Sequence, residues 1–169
     1  MELTRTAIGN YTHPDDPGEA AYKGSPKRLS VTDDECEILA RLAQGRSVLE
    51  IGTGLGVSTR AMSDTARRVV TVDPDDWVRL NVWESLPSNV APCNEFVEDD
   101  KFDFAFIDGD HHYDSVKADL VAVRKVLRPF SPVVMHDYNG EVRRASYHSG
   151  FILVKEFHTG CDMVVGALT

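Results

Sequence analysis

Short apolar runs alternate with amphipathic segments over most of the chain, and this alternation predicts strands that alternate with helices. The clearest runs are 47–51, 69–72, 102–107 and 132–135, and a weaker strand is expected within 90–100. Continuous apolar runs are typical of parallel strands that helices cover on both faces. Strand, helix and strand within so few residues also imply right-handed crossovers. The pattern therefore predicts an α/β fold with a Rossmann-like, mostly parallel, doubly wound sheet.

The amphipathic segments between these runs predict the helices. The first begins at a capping box, in which Thr32 caps the helix and Glu35 reaches back, and it continues to about Ala43. The remaining helices are predicted at 58–66, 76–86 and 114–127. The first and the last of these helices have an apolar face at helical spacing.

The two ends of the chain carry weaker patterns. Residues 1–31 are rich in Pro and Gly, so we expect an arm that is disordered in part, with a flap or an oligomer contact as the functional alternative. Residues 139–150 predict a polar loop, whereas 151–157 fit a short helix or a strand equally well. A last strand is predicted over 161–168. We therefore expect a single folded domain over 32–169.

Composition and charge narrow the classes of protein. The 169 residues suit one domain with a sizeable core. The formal net charge of −9 argues against charge-driven binding to nucleic acid, whose phosphates attract Lys and Arg. No apolar stretch is long enough to span a bilayer, and the first residues lack a signal-peptide pattern. Three scattered cysteines suggest neither a disulfide framework nor a zinc cluster. We expect a cytoplasmic protein with no nucleic-acid or membrane partner.

The strand 47–51 leads directly into a glycine-rich turn, EIGTGLG, which extends from Glu50 to Gly56. Glycine adopts backbone angles that a Cβ forbids, and the N–H groups of the following helix face a bound ligand. A dehydrogenase turn requires G-x-G-x-x-G/A, but Val57 occupies the place of the third small residue. The pattern E-x-G-x-G-x-G instead resembles the nucleoside-binding motif of class I S-adenosylmethionine (SAM)-dependent methyltransferases.

Asp73 closes the second predicted strand, 21 residues beyond Gly52. A carboxylate at that offset can accept hydrogen bonds from both hydroxyl groups of a ribose. A solvated Asp that merely ends a strand is the alternative. Together with the glycine turn, the position favours a ribose ligand.

Two later strands also end in acidic residues, Asp108 and Asp137. If these strands are neighbours, their carboxyl ends lie about 5 Å apart at the edge to which the glycine turn points. Carboxylates that close repel each other unless one is protonated or a cation bridges them. A divalent metal ion is the natural bridge, with His136 or the side-chain amide of Asn139 as a further ligand.

His111 follows Asp108 by three residues and is expected on the turn above the same edge. An imidazole there could take a proton from an acceptor hydroxyl, helped by a metal ion that lowers the pKa of that hydroxyl. His112 and His148 are interpreted as surface residues.

The segment FIDGDHHYDSVKADL, followed by VVMHDY, makes the resemblance more specific. It looks like the small-molecule O-methyltransferases related to macrocin-type and cephalosporin hydroxylase-like proteins, a subgroup of class I, and its motifs cover 31–138. The resemblance implies a seven-stranded fold, His111 as general base, and a magnesium site formed by Asp108 and the acidic pair after the fifth strand. It implies that SAM is held by the glycine turn and its surroundings: Glu50, Gly52, Thr53, Gly54, Gly56, Ser58 and Asp73.

Three features depart from this family pattern. The acidic pair is His136-Asp137 here, and a neutral imidazole is a poorer magnesium ligand than a carboxylate, so another divalent ion or no metal is the alternative. The third-strand region is short, and the adenine contacts are not assigned. The closing antiparallel hairpin is expected to be truncated, or to borrow from the N-terminal arm.

We therefore predict metal-assisted O-methylation, with SAM, of a small hydroxylated acceptor such as a sugar or a phenol. Few residues remain to form an acceptor pocket. A homo-oligomer, in which a second subunit supplies part of this pocket, is therefore a further expectation. Two alternatives stay open. One is a non-catalytic SAM-binding or interaction protein on the same fold, and the other is an NAD-dependent oxidoreductase.

Overall fold

The computed structural model describes residues 31–96, 101–159 and 162–169. Seven strands form one sheet: β1 (Ser47–Ile51), β2 (Arg68–Val72), β3 (Val90–Cys93), β4 (Phe104–Ile107), β5 (Val133–Met135), β6 (Phe151–Phe157) and β7 (Met163–Leu168). Their order across the sheet is β3-β2-β1-β4-β5-β7-β6. Strands β1 to β5 are parallel, and β7 is antiparallel to both of its neighbours. The predicted α/β, mostly parallel sheet is therefore confirmed.

Helices cover both faces of this sheet. They are α1 (Asp33–Ala43), α2 (Val57–Ser63), α3 (Asp76–Asn81), α4 (Tyr113–Val126) and α5 (Gly140–His148), with a 3-10 turn at Trp83–Ser85. All five residues of β1 are buried because its side chains alternate between two apolar clusters. One cluster contains Leu120 of α4, and the other contains Leu39 of α1. The sheet is thus doubly wound, as predicted.

Several predicted elements need correction. The polar loop expected at 139–150 is the helix α5, whose polar composition hid a narrow buried face formed by Val142, Ala145 and Ser146. The helix expected over 76–86 ends at Asn81, and the 3-10 turn takes its place.

The third strand forms despite Pro92, because β3 lies at the edge of the sheet and pairs only with β2. Proline is tolerated in an edge strand, where its missing N–H interrupts no second ladder.

The antiparallel hairpin has both of its strands. Residues 151–157 form a strand rather than a helix, and β6 pairs with β7 from Phe151↔Leu168 to Phe157↔Met163. The truncation that we expected is therefore not observed. The predicted arm at 1–31 lies outside the described residues except for Val31, and no helix among the described residues combines the length and apolarity needed to cross a bilayer.

The ends of β1, β2, β4 and β5 meet at one edge of the sheet, and a backbone contact fixes the first of these ends. The Gly52 N–H donates to the carbonyl of Val72 at 2.8 Å, and Gly52 has φ +93°. A Cβ on Gly52 would lie 2.2 Å from the carbonyl oxygen of Asp108. Only glycine therefore lets the turn after β1 approach the chain after β4 this closely.

We expect Gly52→Ala to destabilise the fold by about 2 to 4 kcal/mol, since it combines a left-handed backbone angle with overpacking against the backbone. Gly45→Ala is the matched control, because Gly45 also has a positive φ (+68°) but no atom within 4 Å of its Cβ position. Its expected loss of stability is about 1 to 2 kcal/mol, the cost of a left-handed angle alone. Urea unfolding measures both, and equal losses would show that the contact with Asp108 is unimportant.

Candidate active site

Asp73 ends β2 and joins the glycine turn to that strand. Its Oδ2 accepts hydrogen bonds from the backbone N–H groups of Thr53 and Gly54, both at 3.0 Å, and its Oδ1 accepts one from the Asp75 N–H, also at 3.0 Å. The turn is closed by the Gly56 N–H, which donates to the Thr53 carbonyl at 2.8 Å. A carboxylate offers about four lone-pair sites, so Asp73 retains capacity for a ligand hydroxyl.

Glu50 is fully buried at the base of the same turn. Its carboxylate accepts hydrogen bonds from the hydroxyls of Ser58 (2.6 Å) and Thr59 (2.5 Å), at the start of α2. Burial raises the pKa of Glu50 to about 7, although these hydrogen bonds lower it. The pair of Glu50 and Ser58 thus fixes α2 against β1. A direct contact of either side chain with a cofactor remains a prediction.

Asp108, His111 and Asp137 converge where β4 and β5 end. The Nε2 atom of His111 lies 3.6 Å from Oδ1 of Asp108 and 3.7 Å from Oδ2 of Asp137. One ligand atom from each residue lies within 4.8 Å of the others. The two strands are parallel neighbours, with Ile107 opposite Met135, so the sheet itself brings the two carboxylates together.

The charges in this group change its proton affinities. The hydrogen bond with Asp108 raises the pKa of His111 above its ordinary value, although burial opposes the shift. Burial would raise the pKa of Asp108, but hydrogen bonds with His111 and His136 outweigh it and lower that pKa. Asp108 is therefore a carboxylate at neutral pH, and His111 holds a proton more strongly than an exposed imidazole does.

His136 is buried between two carboxylates. Its Nδ1 lies 3.1 Å from Oδ1 of Asp108, and its Nε2 lies 3.4 Å from Oε2 of Glu35. A carboxylate only accepts hydrogen bonds, so both ring nitrogens must donate, and the ring is an imidazolium. Burial would lower the pKa of His136, but these hydrogen bonds raise it to about 11. Both ring nitrogens of His136 thus face carboxylates, and the possible metal-binding group contains His111 in addition to the two aspartates. A role for His136 as a metal ligand stays a prediction from the sequence.

Glu35 was not among the site residues that the sequence predicted. Besides His136, its carboxylate accepts hydrogen bonds from the Thr32 N–H (2.7 Å) and the Thr159 hydroxyl (2.6 Å). Its local pattern indicates only the capping box, which the structure confirms. The contact with His136 joins residues 101 positions apart. No signal in the sequence marks such a pair.

A cavity of about 260 Å³ lies between the start of α5 and the adjoining ends of β6 and β7. Tyr138, which follows Asp137, forms part of its wall. Further lining residues are Asn139, Arg143, Phe157, His158 and Asp162. The cavity therefore opens at the same edge of the sheet as the group formed by Asp108, His111 and Asp137.

The sheet order, the glycine turn and the acid at the end of β2 together define a class I SAM-dependent methyltransferase. The chain belongs to the family described as "Methyltransferase domain", whose model matches residues 49–138. No curated protein matches the chain. The family match supports SAM as cofactor and removes the basis for the oxidoreductase alternative.

Solved methyltransferase structures share the fold at low sequence identity. An O-methyltransferase from Bacillus cereus, in complex with S-adenosylhomocysteine (SAH), is 20% identical, with a TM-score of 0.66 over 89% of this chain and 88% of that one. The N-methyltransferase NodS from Bradyrhizobium japonicum, also with SAH, is 13% identical, with a TM-score of 0.67 over 88% and 96%. A tRNA (m1A58) methyltransferase from Aquifex aeolicus is 19% identical, with a TM-score of 0.65 over 83% and 70%. Because these proteins differ in acceptor, the likeness establishes the fold alone.

We expect Glu35→Gln to destabilise the fold by about 3 to 5 kcal/mol, because it breaks a buried ion pair and leaves His136 with one carboxylate. Glu37→Gln on the same helix is the matched control. Glu37 pairs with Arg41 at the surface, where such a pair contributes less than about 1 kcal/mol. Chemical denaturation measures both variants, and similar losses would contradict a buried ion pair at Glu35.

The ion pair between Glu35 and His136 also makes the stability of the fold depend on pH. Burial would raise the pKa of Glu35, but hydrogen bonds, first that with His136, lower it to about 2. Its contribution to the free energy of unfolding is therefore complete above pH 4.5 and is lost as the pH falls towards 2. The pKa of His136 is raised, so its contribution to the free energy of unfolding is complete below pH 6.5 and is lost as the pH rises towards 11. The difference between the wild type and Glu35→Gln should therefore be largest between pH 4.5 and 6.5.

Proposed function

We propose that this methyltransferase transfers the methyl group of SAM to a hydroxyl oxygen of a small acceptor, with the help of a divalent metal ion. The observation that carries this proposal is the convergence of Asp108, His111 and Asp137 at the edge that also holds the glycine turn. A sulfonium is a good leaving group, so the protein mainly has to align the acceptor and remove its proton.

The cofactor site that we propose is the glycine turn with Asp73. The start of α2 directs backbone N–H groups towards the methionine carboxylate. Asp73 accepts hydrogen bonds from the ribose hydroxyls with the lone pairs that its three backbone contacts leave free. Gly52, Gly54 and Gly56 all have positive φ, which is the conformation that the turn requires.

The chemistry of the acidic group fits a divalent cation. Two carboxylate oxygens suit Mg²⁺, and the additional imidazole nitrogen also suits Mn²⁺. We propose that Asp108 and Asp137 hold this ion, with Mg²⁺ as its natural identity. Such an ion, when bound, lowers the pKa of an acceptor hydroxyl.

His111 takes the acceptor proton in this proposal. The carboxylates beside it raise its pKa, so a cation that offsets their charge favours the neutral imidazole that a general base requires. The alternative role for His111 is that of a third metal ligand, through Nε2.

The cavity beside Asp137 provides room for part of the acceptor. Its volume of about 260 Å³ suits a sugar or a phenol rather than a polymer segment. Tyr138 and Phe157 supply aromatic surface in its wall, while Arg143 and Asp162 supply polar contacts. A cytoplasmic setting and a possible homo-oligomer remain predictions from the sequence.

Calorimetric titration with SAH, with NAD as the control, tests the cofactor site first. We expect SAH to bind stoichiometrically and NAD not to bind. An acceptor screen with sugars and phenols, run with SAM before and after treatment with a chelator, then tests the chemistry. We expect turnover on hydroxylated acceptors that chelation abolishes and Mg²⁺ restores. If the chelator does not change turnover, the proposed role of the metal ion is wrong. If only amines are methylated, the proposed transfer to oxygen is wrong.

His111→Ala should lower kcat by about 10² to 10⁴, the range expected for loss of a general base, while SAH affinity stays nearly unchanged. His112→Ala is the control, because that exposed neighbour has no assigned role. Titration with Mn²⁺ separates the two roles of His111. Unchanged metal affinity supports the base, weakened affinity indicates a ligand, and full activity of His111→Ala would exclude both.

A further inference from the structure

The buried carboxylate of Glu35 has no part in the methyl transfer proposed above. Glu35 lies in the first turn of α1 and is fully buried, and its partner His136, directly after β5, is only 5% exposed. Replacing a buried ion pair by apolar side chains of similar size is often neutral or even stabilising. Stability alone therefore does not explain why an ion pair occupies this position beside the acidic group.

The two oxygens of Glu35 have different partners. Oε2 lies 3.4 Å from Nε2 of His136, whereas Oε1 accepts a hydrogen bond from the Thr159 hydroxyl at 2.6 Å. The other ring nitrogen of His136 lies 3.1 Å from Oδ1 of Asp108. A continuous series of hydrogen bonds therefore extends from Thr159 through Glu35 and His136 to Asp108.

Thr159 connects this series to the cavity that we propose for the acceptor. Phe157 and His158 form part of the cavity wall, and Thr159 directly follows them in the chain. The Thr159 N–H also donates to the Phe157 carbonyl at 2.8 Å, so Thr159 is held against the end of β6. The series thus begins at the wall of the cavity and ends at a carboxylate of the acidic group.

A second contact joins the same wall to the other carboxylate. The N–H of Tyr138, the residue after Asp137, donates to the carbonyl of Asp162 at 2.9 Å, and Tyr138 and Asp162 both line the cavity. Asp137 and Asp162 each have φ +48°, an angle that is uncommon outside glycine and is kept only where the surroundings impose it. Residues on either side of the connection between β6 and β7 therefore contact both ends of the acidic group.

We propose that Glu35 is a positioning residue for cation binding: it holds His136 against Asp108 and, through Thr159, ties Asp108 to the wall of the acceptor cavity. The inference rests on the divalent ion and the cavity of the proposed function. A carboxylate that is held through one oxygen presents its other oxygen in a defined direction, which favours a metal ion that requires fixed geometry. The role of Glu35 is the same if His136 ligates the ion, because a carboxylate on the second ring nitrogen orients a ligating imidazole.

Titration with Mn²⁺, followed by electron paramagnetic resonance, tests this role without a known acceptor. We expect Glu35→Gln to weaken Mn²⁺ binding by about 10- to 100-fold, the range for loss of an outer partner of a metal ligand. Glu37→Gln, on the same helix, should bind Mn²⁺ like the wild type. The affinity for SAH should stay unchanged in both variants, and circular dichroism verifies that the titrated protein is folded.

Thr159→Val is the second variant, and it decides alone if Glu35→Gln does not fold. It removes only the hydroxyl that donates to Glu35, so we expect Mn²⁺ binding to weaken by about 2- to 10-fold, the factor for one hydrogen bond. Thr159→Ser keeps a hydroxyl and should restore the wild-type affinity. Thr65→Val is the matched control, because the Thr65 hydroxyl donates to the Ala40 carbonyl before β2 begins.

The outcomes separate this inference from the proposed function. Wild-type Mn²⁺ affinity in Thr159→Val overturns the positioning role, and so does a loss in Thr159→Ser as large as that in Thr159→Val. An equal loss of Mn²⁺ and SAH affinity also overturns it, because it indicates that the whole edge of the sheet has loosened. If the wild type itself binds no Mn²⁺, the metal ion of the proposed function is wrong, and the positioning role is wrong with it.

Discussion

The candidate site depends on one chain of charged hydrogen bonds, from Glu35 through His136 to Asp108. Three negative charges, including that of Asp137, would otherwise repel one another in and near the protein interior. The imidazolium offsets them, and its two N–H groups fix where Asp108 and Glu35 lie. The same chain ties the first helix to the edge of the sheet where the chemistry is proposed. The raised pKa of His136 favours its charged form at this position.

The acceptor of this protein depends on the side chains at this edge of the sheet rather than on the fold. The same fold occurs in a tRNA methyltransferase, an O-methyltransferase and an N-methyltransferase, so acceptor chemistry must be argued from the side chains at the edge. Here the group at this edge consists of the carboxylates of Asp108 and Asp137 and the imidazole of His111. His136 forms hydrogen bonds with Asp108 and Glu35 instead. The cavity beside Tyr138 adds a bounded volume at that edge. Together these features favour a small acceptor in our proposal. They do not depend on the similarity of the fold to solved methyltransferase structures.

The sequence predicted those features that depend on local patterns. Apolar runs located the central strands, and the glycine spacing located the turn between β1 and α2, because each reflects neighbouring residues alone. Asp108 and Asp137 were expected to meet, since strand ends of a parallel sheet share an edge. Helix α5 was missed because its buried face is narrow and partly polar. The role of Glu35 was missed for a different reason, since its partner is distant in sequence and nothing local distinguishes a capping glutamate from one that also holds an imidazolium.

The close approach of Gly52 to the carbonyl of Asp108 has a further consequence. Because backbone meets backbone there, neither turn can shift without displacing the other. A ligand that tightens the glycine turn must therefore also restrict Asp108, and an ion that restrains Asp108 must restrict the turn. Such mutual restriction is thermodynamic linkage, so each ligand changes the affinity for the other by the same factor. Gly52 thereby couples the two proposed ligand sites through the backbone.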